Sequence, residues 1–210
     1  MHIGSYVKMK DFIDHYLSGH NEDSLNILDV GSQDVNGSYK PLFNNPKWNY
    51  FGCDMVEGKN VDIVLKNVYN WAEIESESYD VIISGQALEH IEYFWITILE
   101  IMRTLKEGGL CCIIAPSNGF EHRYPVDCWR YYPDGFRALA KYAGLETLEV
   151  YTQWENGWYE DGSGFWKDSV LICKKPFMSE SEKQLFNYKN ALSKLIAGEE
   201  IYNKSSSETN

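Results

Sequence analysis

Three runs in this chain, "LNILDV" at 25–30, "YDVIISG" at 79–85 and "LCCIIAP" at 110–116, are apolar almost from end to end. A strand with one wet face alternates apolar and polar residues, so these runs read as strands covered on both faces, the habit of a parallel sheet. "WNYFGCDM", "VDIVL", "LETLEVY" and "SVLICKK" are further strand candidates. Segments of helical spacing lie between them. "YVKMKDFIDHYL" sets Tyr6, Met9, Phe12, Ile13, Tyr16 and Leu17 on one face, with Gly19 suited to its end. "YFWITILEIMRTL" is amphipathic and stops at Gly108 and Gly109, and "DGFRALAKYAG" has Asp134 as N-cap and Gly144 past its end. Alternating strands and helices predict an α/β fold, a parallel sheet with helices on both faces. Such sheets bind ligands beyond the carboxyl ends of their strands, near the point where strand order reverses. The chemistry is therefore expected at Gly31 to Gly37, Asp54, Asn67, Ser84 to His90, and from Pro116 onward.

A chain of 210 residues makes one sizeable domain, expected to span 1–178. A polar helix, "SEKQLFNYKNALSKLI", and a frayed tail, "NKSSSETN", would fill 179–210. The net charge of −12 offers no basic footprint for nucleic acid or an anionic membrane. No run is long and apolar enough to span a bilayer, and "MHIGSYVKMKDFIDHY" lacks the apolar core of a signal peptide. Five cysteines without a CxxC pair fit reduced, structural thiols, so the expected location is the cytoplasm. His122 and Cys128 are near in sequence, but no compact ligand cluster points to a metal, and none is expected.

The loop after the first strand, "GSQDVNG" at 31–37, narrows the cofactor. A dinucleotide fold needs GxGxxG to bring backbone against a pyrophosphate, and Gln33 stands at the second glycine position. Asp34 adds a negative charge where a phosphate would sit, with no lysine or arginine before Lys40. S-adenosyl-L-methionine (SAM), with a sulfonium and no phosphate, suits such a loop better. Asp54, at the end of the second strand, is placed to accept the ribose hydroxyls of either cofactor class.

With these segments on the page, the chain resembles a class I SAM-dependent methyltransferase of the type 11-like group over roughly residues 25 to 175. "LDVGSQDVNG" is similar to the group's first motif, "YFGCDM" to its ribose-binding acid and "YDVIISGQALEHI" to its fourth motif. "RTLKEGGLCCIIAP" resembles the segment leading through the fifth strand. Gln33 and Asn36-Gly37 depart from the usual glycine spacing, although Asn and Gly both tolerate positive φ. The resemblance implies a Rossmann-like, seven-stranded, mostly parallel sheet with an antiparallel last strand. It also implies roles. Gly31 lets backbone approach the methionine end, and Ser32 bonds its carboxylate. Asp54 holds the ribose, Met55 packs on adenine, and Asn67 and Val68 read the adenine edge. Ser84 and Gln86 border the methionine moiety. His90, in "LEHI", either fixes the loop by hydrogen bonding or acts catalytically, and Glu89 and Glu92 beside it are expected to raise its pKa.

The segment "NGFEHRYPVDCWRYYPDGFRALAKYAG" sets His122, Arg123, Asp127, Arg130 and several aromatics at the mouth of the expected cleft. Aromatic faces interleaved with Arg and Asp suit a polar, ring-shaped or anionic acceptor such as a sugar or nucleotide-linked sugar. Arg123, Tyr124, Trp129 and Arg130 are the expected acceptor contacts. The bland reading is a folded cover whose arginines pair with local acids. "HRYPVDCWRYYPDGF" also resembles a segment of methyltransferases linked with bacterial surface-glycan and small-molecule modification, and "QWENGWYEDGSGFW" would form the opposite wall. Methyl transfer needs acceptor, methyl carbon and sulfur in line. A neutral hydroxyl acceptor also needs a base, for which His122 or Asp127 is the expectation. A non-catalytic SAM-binding scaffold and an NAD-dependent oxidoreductase are the alternatives.

Overall fold

The computed structural model describes residues 2–155 and 159–197. Among them, β1 (Leu25–Val30), β2 (Trp48–Asp54), β3 (Ile63–Val64), β4 (Tyr79–Gly85), β5 (Leu105–Ala115), β6 (Glu146–Thr152) and β7 (Ser169–Lys174) form one sheet in the order β3-β2-β1-β4-β5-β7-β6. β1 runs parallel to β2 and β4, β2 to β3, and β4 to β5, while β7 is antiparallel to both β5 and β6. The expected mostly parallel sheet with an antiparallel last strand is therefore present. Strand order reverses between β1 and β4, which opens a crevice at their carboxyl ends.

Successive side chains leave opposite faces of a strand, so an apolar run supplies two cores at once. Leu28, Val30, Ile82, Ile113 and Leu171 join one cluster, with α2 (Phe94–Thr104) and α3 (Pro133–Ala143) packed on it. Ile27, Val81, Ile83, Ile114 and Ile172 join the other, under Met9 and Phe12 of α1 (Ile3–Phe12). A last helix, α4 (Glu180–Ala197), docks on the α2 side through the carboxylate of Glu100, which is buried yet satisfied. It accepts from Trp71 N (2.9 Å), the Arg103 guanidinium (2.9 Å), Asn190 Nδ2 (2.9 Å) and Lys194 Nζ (2.8 Å).

Some local expectations need correcting. Gly108 and Gly109 do not stop α2, which ends at Thr104 and runs directly into β5. They lie inside β5, where its register with β4 shifts between Tyr79 and Val81, and Gly108 takes a φ of +79°. Asp134 is not the N-cap of α3. Pro133 takes the first helical position, and Asp134 sits in the first turn paired with Arg137 at 2.8 Å. Gly144 ends α3 at φ +85°, as its sequence position suggested. Beyond α1 the helical backbone widens over Ile13–Leu17 and tightens over Ser18–His20, so Gly19 lies in its last turn, as its sequence position suggested. The frayed tail and part of the aromatic loop, residues 156–158, lie outside the described residues. No helix among the described residues is long and apolar enough to cross a membrane.

Candidate active site

A cavity of about 370 Å³ occupies the crevice, a size within the range of small-ligand sites. Gly31, Asp54, Met55, Val68, Gln86, His90, His122 and Tyr124, all singled out in the sequence, contribute to its wall. Gly31 turns the chain out of β1 at φ +78°, where a Cβ would lie 2.5 Å from that of Ala87. Only glycine serves there. Asp54 Oδ2 accepts from Gln33 N (3.1 Å) and Oδ1 from Val56 N (3.3 Å), so the acid at the end of β2 also fixes the loop after β1. Ser32 also lines the cavity, with its hydroxyl donating to the Asn60 carbonyl (2.8 Å).

The charge argument built on Asp34 is also corrected. Asp34 is absent from the cavity wall; its carboxylate accepts from Gly37 N (2.8 Å) and pairs with Lys59 Nζ (2.6 Å). The Lys59 bond, followed by that from Gly37, holds this carboxyl below its usual range. The acid shapes the turn; it does not meet a cofactor.

Beside Asp54, apolar side chains of Met55, Leu65, Val68, Trp71 and Ile91 form a slot. Asn67 does not reach it, because its Oδ1 accepts from Tyr69 N (2.8 Å) and closes a turn. Ser84 is fully buried away from the cavity and donates to the Val30 carbonyl (2.9 Å), bracing β4 against β1. The other end of the cavity is polar, with His2, Ser38, Tyr39 and Gln86. Gln86 is held at φ +58° and donates to Asp168 Oδ1 (3.1 Å). Strain of this kind collects at functional sites. Asp29 lies under this end, accepting from the Tyr50 hydroxyl; burial, with some help from the Asp54 charge, pushes its carboxyl up to about 7. Trp166, from the aromatic loop expected as the opposite wall, does line the cavity, whereas His2 and Tyr39 reach the wall from segments that no sequence signal marked.

The segment after β5 folds back on the turn after β4. Cys128 N donates to the Glu89 carbonyl (2.7 Å), Tyr131 Oη to the Leu88 carbonyl (2.9 Å) and Trp129 Nε1 to the Glu92 carbonyl (3.0 Å). His90 Nδ1 bonds the Val126 carbonyl at 2.6 Å. These bonds set the rings of His90 and His122 edge to face with centroids 5.0 Å apart, and Trp166 lies 4.7 Å from His122. Burial lowers the His90 pKa, against the expectation that neighbouring acids would raise it. Glu89 carries little charge to do so, since burial pushes its own carboxyl up to about 8.

Asp127 does not line the cavity and is unsuited to act as a base. Arg130 grips both its oxygens (2.6 and 2.8 Å), His122 N donates to it (2.7 Å), and the Arg130 guanidinium chiefly holds its carboxyl far below the usual range. Its Oδ2 stands 3.3 Å from His122 Nδ1, close enough for an ion pair but without a hydrogen bond. Arg123, Trp129 and Arg130 are likewise absent from the wall: Arg123 pairs with Glu121 (2.8 Å), Arg130 with Asp127, and Trp129 packs on Phe94. The bland reading holds for both arginines. The metal expectation changes too, because one ligand atom each of Glu89, His90 and His122 lie within 4.8 Å of one another.

An acid beside an apolar slot, with a polar far end, fits the ribose, adenine and amino-acid parts of SAM. Residues 28–113 match the family model described as methyltransferase domain. Solved structures of similar fold include a putative sarcosine dimethylglycine methyltransferase from Galdieria sulphuraria, 16% identical, with a TM-score of 0.60, covering 81% of this chain and 86% of that one. A SAM-dependent methyltransferase from Archaeoglobus fulgidus is 14% identical, with a TM-score of 0.59 over 81% and 95%. The [4+2]-cyclase SpnF is 13% identical, with a TM-score of 0.62 over 81% and 82%. No curated protein sequence matches the chain. The sheet order and the matched core define a class I methyltransferase domain. Residues 28–113 thus carry the methyltransferase-domain match on a sheet of this fold, and the solved structures it resembles include SAM-dependent methyltransferases.

Proposed function

We propose that the enzyme methylates a hydroxyl of a small, neutral, polar ring compound of the sugar class. The observation that carries this reading is His122 at the cavity wall, with Asp127 behind it and the rings of Tyr124 and Trp166 in the same wall. Aromatic faces suit the apolar side of a sugar ring. With both arginines turned to local acids, an anionic, nucleotide-linked acceptor has less support than the sequence suggested.

In this reading Asp54 accepts from the ribose hydroxyls, Met55 and Val68 pack on adenine, and the backbone at Gly31 meets the methionine end with Gln86. SAM, when bound, supplies a methyl group on a sulfonium that is already a good leaving group. The protein's work is then to align the acceptor and receive its proton. His122 takes that proton on Nε2, with Nδ1 3.3 Å from Asp127 Oδ2. Arg130 keeps Asp127 ionised, so a negative charge stands beside the imidazolium that forms. The net charge of −12 argues against a nucleic-acid or anionic-membrane partner, and a cytoplasmic location accords with the five free cysteines.

The test starts from a screen of free and nucleotide-linked sugars with methyl-labelled SAM. On the acceptor found, His122→Ala is expected to lower kcat by roughly 10²–10⁴-fold with S-adenosylhomocysteine affinity retained. A rise in KM at unchanged kcat would instead make His122 a binding residue. Cofactor binding with no turnover across the screen would favour the non-catalytic scaffold. The [4+2]-cyclase SpnF, similar in fold, is the reason to run that arm.

A further inference from the structure

We propose that Glu89, His90 and His122 form a binding site for a divalent first-row transition ion, such as zinc, at the acceptor end of the cavity. The ion's catalytic role rests on the methyl-transfer reading above, whereas its binding does not. Three observations converge. One ligand atom from each residue lies within 4.8 Å of the other two, and His90 Nε2 is 3.8 Å from Glu89 Oε1. The Glu89 side chain is fully buried, and among the described residues neither carboxyl oxygen has a hydrogen-bond partner. A buried carboxylate in that state is costly without a cation or a proton.

The third observation concerns the outer contacts of the two rings. Metal-bound histidines donate their second ring N–H to a carbonyl or carboxylate, which fixes the tautomer. His90 Nδ1 bonds the Val126 carbonyl at 2.6 Å, leaving the Nε2 lone pair toward Glu89. His122 Nδ1 lies 3.3 Å from Asp127 Oδ2 with no hydrogen bond between them, so a small turn of the ring would make that bond, and Asp127 is itself clamped by Arg130. Two imidazoles and a carboxylate are a donor set for zinc and its neighbours in the first row, whereas magnesium and calcium favour oxygen alone. Bonds of roughly 2.0–2.2 Å require the three groups to draw together slightly, which rotation of the partly exposed His122 allows. His90 and His122 both line the cavity, so positions left open on the ion face the acceptor. In the loaded protein the ion would acidify a bound acceptor hydroxyl, whose proton passes to water as its oxygen takes the methyl group from sulfur, and His122 serves as ligand instead of base.

The experiment uses the full chain after chelation and dialysis, titrated with Co²⁺ and followed by visible absorption, with Zn²⁺ as competitor. One saturating equivalent of Co²⁺ is expected, displaced by Zn²⁺. Glu89→Gln and His122→Ala should each weaken it by about 100-fold or more, beyond what loss of an outer partner does. S-adenosylhomocysteine affinity, measured on the same samples, reports the fold; if Glu89→Gln does not fold, His122→Ala decides. Absence of a saturable band, or a band unchanged in both variants, overturns the site. A site that binds the ion while methyl transfer is indifferent to it overturns the catalytic role alone.

Discussion

The Asp54 carboxylate does more than line the cavity. Its two oxygens hold Gln33 N and Val56 N, so the same group shapes the loop after β1 and the turn after β2. Asp54→Ala is expected to weaken S-adenosylhomocysteine binding by about 1.5–3 kcal/mol, the range for hydrogen bonds to a charged group. Isothermal titration reads this directly, and unchanged affinity in a folded variant would remove Asp54 from the ribose. The place of Asp54 at the cavity was legible from sequence because it depends on one strand end. Ser84 and Asn67 stand away from the cavity, since the partners that occupy them are Val30 and Tyr69. Short polar side chains next to a cofactor loop serve the loop as readily as the ligand, and spacing does not distinguish the two uses.

At the scale of elements, period-2 and period-3.6 patterns located the strands and the main helices, because burial on both faces leaves a plain mark on the chain. What the patterns missed was how elements join. Thr104 passes into β5 without a loop, and the acid at position 100 sits inside the structure. Burial pushes the Glu100 carboxyl upward, but Arg103, Lys194 and Asn190 outweigh it and leave its pKa lowered. Glu100 therefore joins α2 to α4 and to the backbone of Trp71. Glu100→Gln is expected to destabilise the protein by about 3 kcal/mol, the lower end for breaking a buried pair, since Arg103 and Lys194 keep partial access to water. Urea unfolding measures the loss. A change well under 1 kcal/mol would mean that α4 is not held through this carboxylate. The meeting of His90 with His122 was equally hidden. It depends on the segment after β5 folding back to bond the Val126 carbonyl and the Glu89 backbone, and no local signal encodes that return.

For the molecule as a whole, the buried acids set how stability moves with pH, and they act in opposite directions. Asp127 and Glu100 have lowered pKa values, so their stabilisation is present above the unfolded carboxylate pKa and is lost as pH falls through the folded values. Asp29 is the reverse case. Burial raises its folded pKa to about 7, so between the ordinary carboxylate range and neutrality the folded chain keeps a proton that the unfolded chain has released. Across that window stability from this group falls as pH rises, by up to about 1.4 kcal/mol per pH unit. Above pH 7 the slope from Asp29 disappears, because both states are then ionised. Asp29→Asn keeps an acceptor for the Tyr50 hydroxyl and removes the titration. Denaturant unfolding at steps from pH 5 to pH 8 should therefore show the native protein losing stability toward neutrality more steeply than the variant. Equal slopes would mean that Asp29 is ionised in the fold, with a cation or water at the cavity end of β1 supplying what the Tyr50 hydroxyl alone does not. Because Asp29 borders the same cavity as Asp54, cofactor should bear on the result as well. A sulfonium and an ammonium nearby favour the ionised acid, so saturating SAM is expected to flatten the native slope, whereas a neutral nucleoside such as adenosine should leave it in place.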